Sequence, residues 1–258
     1  MPKNDLRDRV VFITGASAGI GAACARAFAR EGARLLLAAR RLERLESLKG
    51  ELQAAGAPAV HNLKFDVQDR KAVESALQSL PKEWSAIDVL VNNAGLSRGL
   101  DKLWEGKTDD WNEMIDTNVK GLLWVTRALV PGMIERGRGH VINLGSTAQE
   151  LAYPGGNVYC GTKAAVKLIN DGLRQDLLGT PVRVTSIDPG MVETEFSEVR
   201  FRGDAERAAR VYRGVTPLAA EDVADAIVWA ATRPAHVNIA HVLMTTIDQA
   251  NSIMFNRK

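Results

Sequence analysis

Short runs of β-branched and aliphatic residues alternate with longer amphipathic stretches along most of this 258-residue chain. The strand-like runs, such as residues 10–13 and 89–91, are apolar at consecutive positions rather than at every second one. Strands with that pattern are buried on both faces, and the helices between them provide the cover. The sequence therefore predicts an α/β fold with a doubly wound parallel sheet of about seven strands and helices on both faces.

The apolar periodicity also assigns the individual elements. The predicted strands cover residues 10–13, 35–38, 61–66, 89–91, 141–144, 182–187 and 242–246. The predicted helices cover residues 20–30, 42–52, 70–79, 108–135 in one or two pieces, 157–178 and 220–231. Asp69 is the expected N-cap of the third helix. No repeat or linker divides the chain, so we expect one domain over residues 1–258. A polar, arginine-rich segment at about 191–217 is the expected lid over a ligand site.

Charge and composition exclude several classes of partner. The net charge of +2 comes from interspersed acidic and basic residues, so no nucleic acid is expected. No apolar run reaches the roughly 20 residues of a membrane span, and the first residues lack the pattern of a secretory signal. Cys24 and Cys160 have no metal-ligand spacing, so we predict buried thiols, no metal site and a cytoplasmic location.

A glycine cluster lies between the first strand and the first helix. Gly15, Gly19 and Gly21 are spaced G-x-x-x-G-x-G, which differs from the usual G-x-G-x-x-G fingerprint of dinucleotide sites. Glycines at this place permit a tight turn and let backbone N–H groups approach a pyrophosphate at the positive end of a helix. The alternative interpretation is a structural turn without a ligand.

Two arginines follow the second strand where an NAD site usually carries a carboxylate. Arg40 and Arg41 come about 20 residues after Gly21, and Glu43 is the first acidic residue beyond them. Guanidinium groups suit a 2′-phosphate through charge and bidentate hydrogen bonds. Taken together with the glycine turn, this pair favours NADP(H) as the cofactor. Taken alone, two adjacent arginines are also typical of a solvent-exposed first turn of a helix.

The ordered set of motifs resembles the short-chain dehydrogenase/reductase family. The matching residues are T-G-A-S-A-G-I-G at 14–21, N-N-A-G at 92–95, Asn118, Ser146, Y-C-G-T-K at 159–163 and Pro189-Gly190. The resemblance implies a Rossmann-like fold with four catalytic residues. In it Tyr159 is the acid and base, Ser146 orients the substrate oxygen, Lys163 binds the nicotinamide ribose, and Asn118 supports a water-linked proton path.

Elementary chemistry agrees with those roles. A free tyrosine has a pKa near ~10, so it needs help to lose its proton at neutral pH. Lys163 lies four residues after Tyr159 on one helix face, where its ammonium can stabilise the phenolate. The motifs and the strand ends together predict the cofactor contacts. These are Gly15, Ser17, Gly19, Ile20, Gly21, Arg40, Arg41, Asp66, Val67, Asn92, Ala94, Gly95, Tyr159, Lys163, Pro189, Gly190, Val192 and Thr194.

Within that family, residues 155–159, 181–186, 195–204 and 233–239 look like the NADP-dependent 3-hydroxy acid dehydrogenases that act on serine, allo-threonine and short β-hydroxy acids. A small acid needs a cation, which Arg200 or Arg202 can supply, although both can instead form surface or intersubunit ion pairs. Glu150 would attract a substrate amino group or repel an acid. The candidate substrate residues are Gln149, Glu150, Tyr153, Arg200 and Arg202.

Two other functions remain open from the sequence. One is a broad-specificity NADPH-dependent carbonyl or ketone reductase with a more apolar pocket. The other is a non-catalytic NADP(H)-binding redox partner, against which the intact catalytic set argues. The resemblance also implies a homodimer or homotetramer, formed through the helices near residues 108–135 and 157–178.

Overall fold

The computed structural model describes residues 5–258, and its centre is a parallel sheet of seven strands in the order β3-β2-β1-β4-β5-β6-β7. The strands are β1 Val10–Thr14, β2 Arg34–Ala39, β3 Val60–Lys64, β4 Ile87–Asn92, β5 Gly139–Leu144, β6 Val182–Pro189 and β7 His241–Met244. The predicted α/β fold is confirmed. The strand order reverses between β1 and β4, so a crevice opens at the carboxyl ends of these two strands, which is where such sheets bind ligands.

Ten α-helices cover the sheet within the described residues. They are α1 Gly19–Arg30, α2 Leu42–Ala54, α3 Arg70–Gln78, α4 Lys82–Ser85, α5 Thr108–Ile115, α6 Leu122–Glu135, α7 Asn157–Asp176, α8 Phe196–Arg200, α9 Ala205–Tyr212 and α10 Ala220–Ala231. The predicted N-cap is present, since the Asp69 carboxylate accepts a hydrogen bond from the Ala72 N–H at 3.1 Å.

The two faces of the sheet bury separate hydrophobic cores. Val11 and Ile13 of β1 pack on one face with Phe28 of α1 and with α10. Phe12, on the opposite face, packs with Met133 of α6. Each such side chain stabilises the fold by about 1.5–3 kcal/mol relative to an exposed position. The consecutive apolar residues of β1 are thus explained by burial on both sides.

Some element boundaries differ from the predicted ones. The third strand ends at Lys64 instead of Asp66, because the Asp66 carboxylate accepts the Gln68 N–H at 3.0 Å and turns the chain. The last strand occupies His241–Met244, about two residues earlier than predicted. The long helix predicted over 108–135 is interrupted by a π-helical segment, Asp116–Gly121. Wide turns of this kind are frequent at functional sites.

The predicted lid segment contains two short helices, α8 and α9. Its ends are held together by backbone hydrogen bonds between Leu218 N–H and the Met191 carbonyl and between Glu193 N–H and the Leu218 carbonyl, both 2.9 Å. The lid is therefore anchored at its base, and α8 extends over the carboxyl end of the sheet beside α7.

Candidate active site

The crevice at the carboxyl ends of the strands holds a cavity of about 560 Å³. Its walls come from the turn after β1, the end of β2, the loops after β3, β4 and β5, the first half of α7, the segment after β6 and the lid. Because every parallel strand ends at this edge, residues far apart in sequence are gathered around one space.

The glycine turn between β1 and α1 is packed too closely to accept side chains. Gly15 and Gly19 have φ angles of +65° and +51°, which favour glycine. A Cβ at Gly21 would lie 2.4 Å from the Gly15 carbonyl oxygen and 2.5 Å from the Asn93 side-chain nitrogen. Gly19 faces Thr194, whose side chain would lie 3.2 Å from an added Cβ. The turn thus exposes the amino end of α1 to the cavity, as a pyrophosphate would require.

The two predicted arginines lie at the end of the cavity next to β2. Arg40 is 3.5 Å from the Asp66 carboxylate and more than half exposed. Arg41 donates to the Glu195 carboxylate at 3.0 Å and to the Ser17 hydroxyl at 3.4 Å. Both guanidinium groups are therefore within the cavity wall, with solvent access for a phosphate.

Asn92 and Asn93 of the N-N-A-G motif have different roles. Asn92 is buried and donates to Thr126 and Asn143, each at 2.9 Å, so it links β4 to its neighbours behind the cavity. Asn93, which the sequence did not single out, lines the cavity and donates to the carbonyl groups of Thr14 and Gly15 at 2.9 and 3.1 Å. The motif therefore positions the glycine turn.

Three of the four predicted catalytic residues line the cavity together: Ser146, Tyr159 and Lys163. Ser146 is held by its own turn, since its hydroxyl accepts the Ala148 N–H at 3.1 Å. Lys163 donates to the Leu144 carbonyl at 2.7 Å, and its nitrogen is 6.0 Å from the centre of the Tyr159 ring. The loop after β5 and the first turns of α7 thus bring the three side chains to one wall.

The fourth predicted catalytic residue, Asn118, lies in the π-helical segment next to this wall. Its side chain accepts the Leu96 N–H at 2.8 Å and donates to the Leu96 carbonyl at 2.8 Å and to the Thr162 hydroxyl at 3.0 Å. It is buried and fixes the loop after β4 against α7. Its side chain is thus engaged in holding the frame around Lys163 and Tyr159.

Burial dominates the ionisation of the catalytic pair. It raises the pKa of the Tyr159 phenol, while the Arg200 guanidinium and a hydrogen bond with Ser146 act in the opposite direction. Burial lowers the pKa of the Lys163 ammonium to about 8, although the buried Asp188 carboxylate opposes this change. The phenol is therefore protonated at neutral pH before a cofactor binds, and it is ready to donate its proton.

Arg200 of α8 lies beside Tyr159. Its guanidinium carbon lies 5.5 Å from the centre of the Tyr159 ring and 5.1 Å from that of Phe196. One terminal nitrogen donates to the Tyr153 hydroxyl at 2.9 Å. Its Nε is buried and lacks a hydrogen-bond partner in the described part of the chain. A cation with one unpartnered donor thus lies in the cavity wall beside the phenol.

The other candidate substrate residues are placed differently. Tyr153 lines the cavity beside Arg200. Arg202 instead forms an ion pair with Asp110 of α5, and Glu150 forms one with Lys167 of α7 at 2.6 Å, so both charges are already partnered away from the phenol. Gln149 is buried beside Gly145, behind the cavity wall.

Most of the predicted cofactor residues line the cavity. They are Gly15, Ser17, Gly19, Ile20, Arg40, Arg41, Asp66, Val67, Ala94, Gly95, Tyr159, Lys163, Pro189, Gly190, Val192 and Thr194. Gly21 and Asn92 support the turn from behind. Sequence reasoning missed Glu195 and the carboxyl-terminal residues Gln249 and Phe255, which also line the cavity. Only the fold brings these residues to the site.

Across residues 5–258 no helix is both long and apolar enough to cross a membrane. Within the same range, no group of three or more histidine, cysteine or acidic side chains is arranged to hold a metal ion.

Comparison with known proteins gives one consistent result. Residues 9–204 match the family described as short chain dehydrogenase. The NADP-dependent 3-hydroxy acid dehydrogenase YdfG of Salmonella typhi is 50% identical over 242 residues, covering 93% of this chain and 96% of that protein. The serine 3-dehydrogenase of Rhizobium radiobacter is 46% identical over 240 residues, covering 93% and 94%.

Among solved structures, the closed form of a serine dehydrogenase complexed with NADP⁺ superposes with a TM-score of 0.91 at 46% identity, covering 96% of this chain and 99% of that one. The matches span nearly all of the chain, and the motifs that carried the resemblance line its cavity or support it. The predicted family and an oxidoreductase activity are confirmed: the chain belongs to the short-chain dehydrogenase family.

Proposed function

We propose that this enzyme is an NADP(H)-dependent dehydrogenase that interconverts a 3-hydroxy acid, such as serine, allo-threonine or a short β-hydroxy acid, with its 3-oxo product. The observation that carries the substrate class is Arg200, whose buried Nε is unpartnered and whose guanidinium lies beside the Tyr159 ring. A buried donor without a partner is costly, so a carboxylate that accepts from it binds favourably. The relatives named above are dehydrogenases of 3-hydroxy acids and of serine, which supports the same class.

The residues around the cavity fit NADP(H). The glycine turn leaves room for a pyrophosphate next to the amino end of α1, and Arg40 and Arg41 offer positive charge where the adenosine 2′-phosphate belongs. Lys163 and the segment after β6, with Pro189, Gly190, Val192 and Thr194, would hold the nicotinamide end. When bound, the cofactor supplies or accepts a hydride at the substrate carbon.

Proton transfer is the task of the chain's own residues. In the reducing direction, the Tyr159 hydroxyl donates its proton to the substrate carbonyl oxygen, and Ser146 donates a hydrogen bond to the same oxygen. In the oxidising direction, the Tyr159 phenolate accepts the proton of the 3-hydroxyl group. Lys163 and Arg200 stabilise that phenolate because both carry positive charge near the ring.

Arg200 also gives the substrate its orientation. A carboxylate bound to its guanidinium group anchors one end of a short acid while the 3-hydroxyl group meets Tyr159 and Ser146. The neighbouring Tyr153 hydroxyl holds the guanidinium in place at 2.9 Å. The lid thus carries the group that selects acids, whereas α7 and the loop after β5 carry the groups that perform the chemistry.

The test is NADP⁺-linked oxidation of serine, allo-threonine and 3-hydroxypropionate, compared with neutral secondary alcohols. Arg200→Gln is expected to raise KM for the acids by about 10- to 100-fold, as loss of a charge-assisted hydrogen bond of about 1.5–3 kcal/mol implies. It should leave KM for the neutral alcohols nearly unchanged, while kcat falls for both classes because the Tyr159 phenolate loses one of its two neighbouring cations. Arg202→Gln is the matched control, because that arginine is paired with Asp110. An equal rise in KM for acids and neutral alcohols would contradict the assignment.

A broad carbonyl reductase is the second candidate, and the apolar side chains that line the cavity from the loop after β4 and from the lid support it. Leu96, Leu100, Phe196 and Val199 all face the cavity near Tyr159. If neutral ketones are reduced with higher kcat/KM than 3-oxo acids, this function replaces the first. Tight NADPH binding without turnover of any substrate would instead favour the non-catalytic binding protein.

The assembly we propose is a homotetramer in the cytoplasm. Large apolar side chains are exposed on two separate surfaces: Leu123 and Leu168 on the pair α6 and α7, and Leu243 and Ile247 at β7 and the segment after it. Two such surfaces suit two interfaces of a symmetric tetramer. Light scattering after gel filtration measures the mass, which should be about four times that of the chain.

A further inference from the structure

A carboxylate from the lid occupies the cationic end of the cavity. Glu195, immediately before α8, accepts from Arg41 at 3.0 Å and from Arg44 at 2.5 Å. Arg41 and Arg44 stand at the start of α2, about 150 residues earlier in the chain. The lid and the basic helix start are therefore joined by one acidic side chain.

This arrangement conflicts with a simple phosphate site. Arg41 is one of the two arginines proposed to hold the 2′-phosphate of NADP(H), but Glu195 already neutralises part of its charge. Contact with Arg44 and Arg41 lowers the pKa of Glu195, so the side chain is ionised at neutral pH. A phosphate arriving at Arg41 therefore meets a like charge, which must move away or weaken its binding.

We infer that Glu195 is a determinant of cofactor selectivity that competes with the 2′-phosphate of NADP(H) for Arg41, while its contact with Arg44 holds the carboxylate in place. NADP(H) must displace the carboxylate from Arg41. NAD(H) carries a hydroxyl group at that position and leaves Glu195 paired. The side chain therefore reduces the preference for NADP(H) over NAD(H). This inference rests on the proposed placement of the 2′-phosphate at the arginines.

The size of the effect follows from exposure. Glu195, Arg41 and Arg44 are each about two-fifths exposed, so the ion pairs are screened by solvent. Releasing two such pairs is expected to strengthen NADPH binding by about 3- to 10-fold. NADH binding should change by less than about 2-fold, because no phosphate competes there.

The experiment measures Kd for NADPH and NADH by calorimetry on the full chain without substrate. Glu195→Gln keeps the shape of the side chain and removes its charge. Glu193→Gln is the matched control, since Glu193 is exposed on the same segment and forms no ion pair within residues 5–258. The expected result is tighter binding of NADPH alone, in the Glu195→Gln variant alone.

Three outcomes would overturn the inference: unchanged or weaker NADPH binding in Glu195→Gln, equal tightening of both cofactors, or the same gain in Glu193→Gln. Arg41→Ala separates this from a failure of the proposed phosphate site. If that variant weakens NADPH and NADH equally, the placement of the 2′-phosphate is wrong. If it weakens NADPH selectively while Glu195→Gln changes nothing, only the competition is wrong.

Discussion

Replacing Gly21 by alanine should destabilise the protein, although Gly21 lies in a helix where alanine is normally preferred. The new Cβ would lie 2.4 Å from the Gly15 carbonyl oxygen and 2.5 Å from the Asn93 side-chain nitrogen. That nitrogen donates hydrogen bonds to the carbonyl groups of Thr14 and Gly15. The methyl group must therefore push apart two backbone segments and weaken both hydrogen bonds.

The expected magnitude is a loss of about 2–4 kcal/mol. At the middle of their usual ranges, overpacking costs about 2 kcal/mol and each of the two weakened hydrogen bonds about 1 kcal/mol. The higher helix propensity of alanine than of glycine stabilises the folded protein by about 1 kcal/mol and offsets part of this loss. Gly50→Ala in α2 is the control, because its Cβ would meet nothing within 4 Å and only the propensity gain of about 1 kcal/mol remains.

The assay is urea unfolding followed by circular dichroism, at one fixed protein concentration for all variants. The two alanine variants should differ in the free energy of unfolding by about 3–5 kcal/mol, with Gly21→Ala below the wild type and Gly50→Ala above it. If Gly21→Ala is as stable as Gly50→Ala, the turn is not as closely packed as the distances indicate, and the argument for a glycine-only cradle fails.

Three further predictions concern the catalytic and cofactor residues. Tyr159→Phe removes the proton donor and should lower kcat by about 10²- to 10⁴-fold with an unchanged melting temperature; an active variant would exclude the tyrosine as acid. Arg40→Asp places a carboxylate near Asp66 and should raise KM for NADP⁺ by about 10- to 100-fold while sparing NAD⁺, which steady-state kinetics with both cofactors would show. The buried Lys163 has its pKa lowered from 10.5 to about 8, so between these values the unfolded chain binds more protons and stability rises with pH. From pH 7 to 9.5 the wild type should gain about 2 kcal/mol over Lys163→Met in urea unfolding, and no pH-dependent difference would mean that the ammonium is not buried.

Periodicity and turn chemistry were sufficient to predict most of the framework. The run at residues 10–13 is buried on both faces, and Asp69 caps its helix, because these features depend on neighbours in sequence. The carboxyl end of the third strand was predicted two residues too late, because the Asp66 turn competes with strand pairing. The π-helical segment 116–121 has no local sequence feature that we could identify.

The candidate substrate residues were harder to predict than the framework, and Arg200 and Arg202 show the reason. From the sequence the two were equivalent candidates for a substrate carboxylate. In the structure Arg200 ends α8 and faces Tyr159, whereas Arg202 has a φ of +54°, which turns the chain so that its side chain reaches Asp110. The change of backbone direction between these two residues therefore determines which arginine side chain lines the cavity. The spacing of residues in the sequence does not reveal such a change.

The electrostatics of the phenol explain why the lid belongs to the catalytic unit. Burial alone raises the pKa of Tyr159, which suits proton donation but opposes formation of the phenolate. Lys163 cannot offset this at alkaline pH, because the same burial lowers its own pKa to about 8 and the ammonium loses its charge above that pH. Arg200 adds a second cation from α8, and it retains an unpartnered donor for an acid. Arg200, which we propose selects the substrate, therefore also lowers the pKa of the phenol that we propose reacts with it, and this proposal makes substrate selection and proton transfer depend on the position of the same helix.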